Sequence, residues 1–171
     1  TAEQHLQWVS DHLNQGLIWL KNQCVNDGKL SNARLDEHQQ ATYDLALSTS
    51  EIRCAQAYLE TARSTSDLNE TMAETFAASM IQSTLNRLLL SPQDVGLTRA
   101  ALAAPNALEA FLDANLRAEH LAKIGADLIT VNGETLGRGL PEAQQMIADP
   151  FHQFADEVVA PLAESIHRED Q

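Results

Sequence analysis

LDEHQQATYDLALSTSEIRCAQAYLETAR, residues 35–63, and STSDLNETMAETFAASMIQSTLNRLLL, residues 64–90, decide the fold. In the first stretch Leu35, Thr42, Leu45, Thr49, Ile52, Ala55, Leu59 and Ala62 recur at steps of three, four and seven. In the second, Leu68, Met72, Phe76, Met80, Ile81, Leu85 and Leu88 do the same. Side chains so spaced fall on one face of a helix with about 3.6 residues per turn. Ser64-Thr65-Ser66-Asp67 is a polar break between the arms. Ser66 or Asp67 can cap the second helix, and Glu70 stands at the capping-box position relative to Asp67. The pattern predicts a long helical hairpin inside an all-α, antiparallel helical bundle, with short accessory helices and a C-terminal helix.

Outward from the hairpin, Leu6, Val9, Leu13, Leu17, Leu20 and Cys24 predict a helix over residues 3–25. Trp8, Ile18 and Trp19 widen its apolar face, which predicts cover on more than one side. Gly28 suits a left-handed cap at its end. Ser91-Pro92 starts a short helix that Gly96 stops, and Thr98 caps an Ala-rich stretch that Pro105 interrupts. Leu108, Phe111, Leu112, Leu116, Leu121, Ile124 and Leu128 predict one long helix from Asn106, left through an Asn132-Gly133 turn. Pro141 to Ala148 is read as a short helix. Asp149-Pro150 then restarts the chain, and Phe151, Phe154, Val158, Leu162 and Ile166 follow at helical spacing.

With 171 residues the chain is long enough to bury a core without disulfides or metal. The formal net charge of −13 repels nucleic acid and anionic membranes, so neither is an expected partner. Lys and Arg total 11 and are scattered, leaving no basic patch to override that repulsion. Cys24 and Cys54 both fall among apolar helix positions and are read as buried free thiols. No signal peptide and no apolar run of membrane-spanning length is visible, and the expected location is cytoplasmic.

Catalytic motifs do not emerge from the residues. A carboxylate-bridged di-metal bundle needs Glu-x-x-His pairs. The chain offers only Asp149-x-x-His152 and the adjacent pairs Glu37-His38 and Glu119-His120, whose members point about 100° apart on a helix. Gly133, Gly137 and Gly139 match neither phosphate-loop nor dinucleotide spacing. The six histidines, His5, His12, His38, His120, His152 and His167, mostly adjoin polar residues and are read as solvated. Glu51, Glu60 and Glu74 lie near the hairpin core as candidate buried bases. The alternative is that Glu51 with Arg53, and Glu60 with Arg63, are solvated or paired. No catalytic, cofactor-binding or metal-ligating residue is assigned.

DPFHQFADEVVAPLAESIHREDQ, residues 149–171, resembles the opening helix of acyl-CoA dehydrogenases. Phe154, Ala155, Glu157, Val158, Pro161, Ala163 and the Arg168-Glu169-Asp170 tail carry the resemblance. Pro161 costs an ordinary helix interior about 3 kcal/mol, so its place in the motif is not filler. Residues 41–90 are similar in style to the family's C-terminal helical bundle. A bundle ahead of the opening helix departs from the usual family order and matches members with an N-terminal helical extension, the methylsuccinyl-CoA dehydrogenase type among them.

The resemblance implies residues 1–132 as such an extension, 133–148 as a linker with a short helix, and 149–171 as a truncated first helix. It implies FAD and an acyl-CoA substrate for a parent enzyme, with no cofactor in this stretch. It also implies self-association or contact with the remainder of that enzyme. The alternative is a non-enzymatic helical adaptor that docks a partner through its C-terminal amphipathic helix.

Overall fold

A computed structural model describes residues 1–26, 28–63, 65–133, 135 and 140–169. Among the described residues the structure is all-α apart from one hairpin of two short strands, and the chain divides into two compact units, Thr1–Thr135 and Leu136–Gln171.

The first unit opens with α1, Ala2–Cys24. Thr1 caps it: its hydroxyl accepts from the Gln4 amide at 3.4 Å, and the Gln4 side-chain oxygen accepts from the Thr1 ammonium at 2.8 Å. Its other end is closed by Arg34, which donates to the Gln23 carbonyl at 3.1 Å. Strands β1 (Val25–Asn26) and β2 (Lys29–Leu30) then pair antiparallel, with Gly28 at φ +75° in the turn. Gly28 therefore serves a tight hairpin rather than the helix cap that the sequence suggests, because the chain has already left the helix in extended form at Val25.

The predicted hairpin is present as α3, Gln39–Ala62, and α4, Asp67–Leu90. The leading segment of its first arm is a separate short helix, α2, Asn32–Glu37, capped by Ser31. Ser66, rather than Asp67, is the N-cap of α4: its hydroxyl accepts from the Asn69 amide at 3.3 Å.

Leu45, Ile52, Ala55, Leu59 and Ala62 of α3 face Ala73, Ala77, Ala78, Ile81, Leu85 and Leu88 of α4, all buried. The alanines of α4 bring the two axes close, and this is the most extensive contact between helices among the described residues. Helix α1 lies against both, through Leu6, Val9, Leu13 and Leu20. Gly16 sets its approach, since a Cβ there would stand 3.0 Å from the Leu45 side chain. Fully burying such a Leu or Ile contributes about 1.5–3 kcal/mol.

A 3₁₀ turn, Pro92–Val95, follows α4 and ends at Gly96, φ +67°. The ring of Trp19 lies directly on Gly96. Thr98 does cap a turn, accepting from the Ala101 amide at 3.1 Å, but no helix forms before Pro105.

The single long helix expected from Asn106 is two: α5, Asn106–Leu116, and α6, Ala118–Thr130. Arg117 adopts extended backbone between them, at φ −67° and ψ 144°. The break lets α5 bury Leu108 and Leu112 against α4 while α6 turns across the bundle with no fully buried residue. The Asn132-Gly133 turn is present, with both residues at positive φ and the Gly133 amide donating to the Leu128 carbonyl.

Beyond Leu140 and Pro141, the described part of the second unit is one continuous helical run. It comprises α7 (Glu142–Phe154), a π-helical turn (Ala155–Val159) and α8 (Ala160–Glu169). The helix does not restart at Asp149-Pro150, as the sequence suggests. Pro150 lies inside α7, where it removes one backbone hydrogen bond without ending the helix. Gly137 and Gly139, two of the three glycines weighed as a phosphate loop, lie outside the described residues.

Candidate functional site

The feature of the second unit with the clearest chemical character is its apolar face. Pro161 has no amide hydrogen, and its ring crowds the carbonyl four residues earlier, on Glu157. The π turn widens the helix over those residues: the Ala160 amide donates to the Ala155 carbonyl, five positions back. That accommodation has a consequence for the side chains. A wider turn keeps residues four apart in closer register than an α-helix does, so Phe151, Ala155 and Val159 stay on one face with Phe154, Val158, Leu162 and Ile166.

All the large members of this face are open to solvent. Phe151 is 72% exposed, Phe154 57% and Leu162 52%, and Val158, Val159 and Ile166 are each above two-fifths.

The opposite face is acidic and internally paired. Asp149 lies two residues from Phe151, roughly 200° round the helix; Glu142 precedes it by seven residues, and Glu157 and Glu164 follow at steps of eight and seven. Gln145 donates to Asp149 at 2.5 Å, Gln153 donates to Glu157 at 2.9 Å, and Arg168 pairs with Glu164 at 2.5 Å. These i,i+4 links hold charge on the back of the helix. The flanks of the apolar face are small or neutral at Ala143, Ala148, Pro150, Ala160 and Ser165, and acidic at the C-terminal end, where Glu169 follows Ile166 by three residues.

The first unit carries polar constellations of a different kind. Arg87 of α4 reaches Glu51 of α3 through both Nη atoms, at 3.0 and 3.1 Å. It also donates to Ser48 at 2.7 Å and Ser83 at 3.2 Å. Glu51 is therefore an ion-pair partner across the hairpin, not a free base and not a partner of Arg53. Glu60 and Glu74 are exposed.

Arg63 pairs with Glu3 of α1 rather than with Glu60, and the contact holds the Glu3 carboxyl down to about 2. The Arg63 guanidinium is the largest cause, and a hydrogen bond from Thr1 adds to it. Arg117, His120 and Lys123 edge an open depression beside α6. Each is already engaged: Arg117 Nε donates to the Asp113 carbonyl, His120 Nε2 lies 2.9 Å from Thr75 Oγ1, and Lys123 meets Asp127 at 2.6 Å.

Four of the histidines read as solvated are half-buried. His5 lies on Phe111 at 4.9 Å between ring centroids, His12 on Trp8 at 4.3 Å and His38 on the edge of Trp19 at 5.8 Å. His120 is the fourth. Burial, and secondarily the N-terminal ammonium, lowers the His5 pKa. His152 and His167 are exposed. Cys24 is buried, but Cys54 is exposed, because it sits two positions past buried Ile52 and so faces outward.

Among the described residues no three His, Cys, Asp or Glu side chains come together as a metal site. No helix among them is long and apolar enough to cross a membrane. No family model matches the chain, and no curated protein matches it.

Proposed function

We propose that this chain is the N-terminal helical portion of a flavin-dependent acyl-CoA dehydrogenase, of the type with a helical extension before its opening helix. Its role there is structural: packing, oligomer contacts, or cover over the substrate entrance. One observation carries the reading. The segment resembling the family's opening helix is a helix whose whole apolar face is exposed, and it contains the motif proline. An element built to be covered within a larger assembly, oligomer contacts included, has that character.

The chain itself contributes no chemistry in this reading. FAD and the acyl-CoA belong to the parent enzyme. A cover over the entrance would select acyl groups by shape.

The test is a full-length gene product, with and without residues 1–140, assayed for bound flavin and for its order of preference among acyl-CoAs. Bound flavin with a changed preference in the shortened enzyme supports the covering role. Bound flavin with an unchanged preference leaves only packing and oligomer contacts. A product that never binds flavin overturns the reading.

The same exposed face favours one other reading, a non-enzymatic adaptor whose C-terminal helix lies in a partner's apolar groove. Absence of flavin together with a monomeric chain that binds a target groove supports it.

A further inference from the structure

The apolar face of the second unit is self-complementary when run backwards. Read from Phe151 to Ile166, its members pair off about a centre between Val158 and Val159: Phe151 with Ile166, Phe154 with Ala163, Ala155 with Leu162, and Val158 with Val159; Ile147, exposed on the same face one turn earlier, falls opposite position 170, outside the described residues. In the two central off-axis pairs a large side chain meets an alanine. This is the large-against-small pattern by which facing helices interdigitate. A surface with this property fits a second copy of itself across a two-fold axis, where residue i meets j and j meets i.

We propose that two copies of this chain pair through this helix, antiparallel, about an axis between Val158 and Val159. Three further observations bear on it. Within its own unit the described helix has no second element to cover it. A lone amphipathic helix is marginal in water until its face is covered. The exposed side chains offer on the order of 600 Å² per copy, or ~1,200 Å² for a pair, at the lower edge of specific interfaces. Glu142, Asp149, Glu157 and Glu164 lie on the far side, so the contact forms without opposing carboxylates, and an antiparallel arrangement also aligns the helix dipoles favourably.

The chain's net charge of −13 still opposes association at long range. Added salt therefore tightens the pairing by screening. A partner groove with a basic rim would behave in the opposite way.

This proposal rests on the apolar face being a packing surface and not on the flavoenzyme reading. A failure here leaves that reading to be judged by flavin binding. The experiment is sedimentation of the full 171-residue chain over a range of concentration and salt. It is repeated for Val158→Asp, with the thermal unfolding midpoint confirming that the helical bundle of the first unit is still folded. The expected result is a dimer favoured by salt, with the dissociation constant raised ~100-fold or more by the buried charge.

Register is read by oxidative cross-linking in a Cys54→Ser background. Val158→Cys cross-links to its own copy. Ala163→Cys does not, because its counterpart lies nine residues along the helix, about 13 Å away. A monomer at all concentrations, a dimer unaffected by Val158→Asp, a dimer weakened by salt, or efficient cross-linking at Ala163→Cys would each overturn the proposal.

Discussion

Arg87 and Glu51 join α4 to α3 through two parallel hydrogen bonds of 3.0 and 3.1 Å, with side chains only 15% and 20% exposed. A bidentate pair at that depth fixes the register of the hairpin, because a one-residue slip of either helix turns one partner away. Ser48 and Ser83 satisfy more of the guanidinium donors. Arg87→Ala therefore leaves a partly buried carboxylate and two serines without their donor. It is expected to cost about 2–3 kcal/mol in urea unfolding. Glu51→Gln keeps the shape and loses only the charge, so it costs less. A double-mutant cycle returning no coupling between the two residues would show that the pair does not set the register.

Trp19 and Gly96 give a sharper test of packing. Gly96 has φ +67°, and a Cβ added there would stand 2.2 Å from the Trp19 ring. Both the backbone and the space forbid a side chain. Gly96→Ala is expected to destabilise by roughly 2 kcal/mol or more and to shift Trp fluorescence as the indole is displaced. A neutral Gly96→Ala would mean that the turn after α4 does not lie under α1.

The Glu3–Arg63 pair predicts an acid limb. The folded carboxyl titrates near 2, against 4.5 for the ordinary group, so the folded state holds fewer protons between those values. The contribution is complete above pH 4.5 and is lost as pH falls through the folded value. Because both side chains are about half exposed, the effect is small and fades with salt. Glu3→Gln should flatten the pH dependence of stability in this window and leave it unaltered above pH 5. An unchanged acid limb in that variant would remove the pair from the account.

His5 acts at higher pH in the same direction. Its pKa is lowered by burial, so the unfolded chain takes up a proton more readily than the folded one. Stability is full above pH 6.5 and declines as pH drops below it. His5→Gln removes that decline, measurable as Tm against pH. Nuclear magnetic resonance titration of His5 at or above 6.5 would contradict the burial argument.

Thiol chemistry separates the two cysteines. In the native chain a bulky thiol reagent should modify Cys54 alone, with Cys24 reacting only after unfolding. Two fast-reacting thiols would mean that the end of α1 is open.

The two helices of the hairpin were legible from their helical period and from Ser66, Pro92 and Gly96, but the buried face of α4 was not: Leu68, Met72, Phe76 and Met80 are only half-buried, and Asn69, Ala73, Ala77 and Ala78 beside them fill the core. What was hidden depends on contacts distant in sequence. Cys54 looked internal by composition, yet its position relative to Ile52 turns it outward. The break at Arg117 has neither proline nor glycine to announce it, and follows from α5 seating Leu108 and Leu112 on α4. Pro150 reads as a helix start from the dipeptide alone, but helix on both sides carries the chain through it. The partners of Glu51 and Arg63 lie 36 and 60 positions away, beyond any local pairing rule. Phe151, Phe154, Val158, Leu162 and Ile166 were visible as a stripe. The π turn that brings Val159 onto the same face was not, since it answers to the ring of Pro161.

The most direct measurement is to read the encoding frame across the codon for Gln171 and to purify the whole product. The account predicts a frame that continues through a β-rich domain and a second helical bundle, and a product that carries tightly bound flavin. A frame that stops at that codon, or a longer product without flavin, would contradict it.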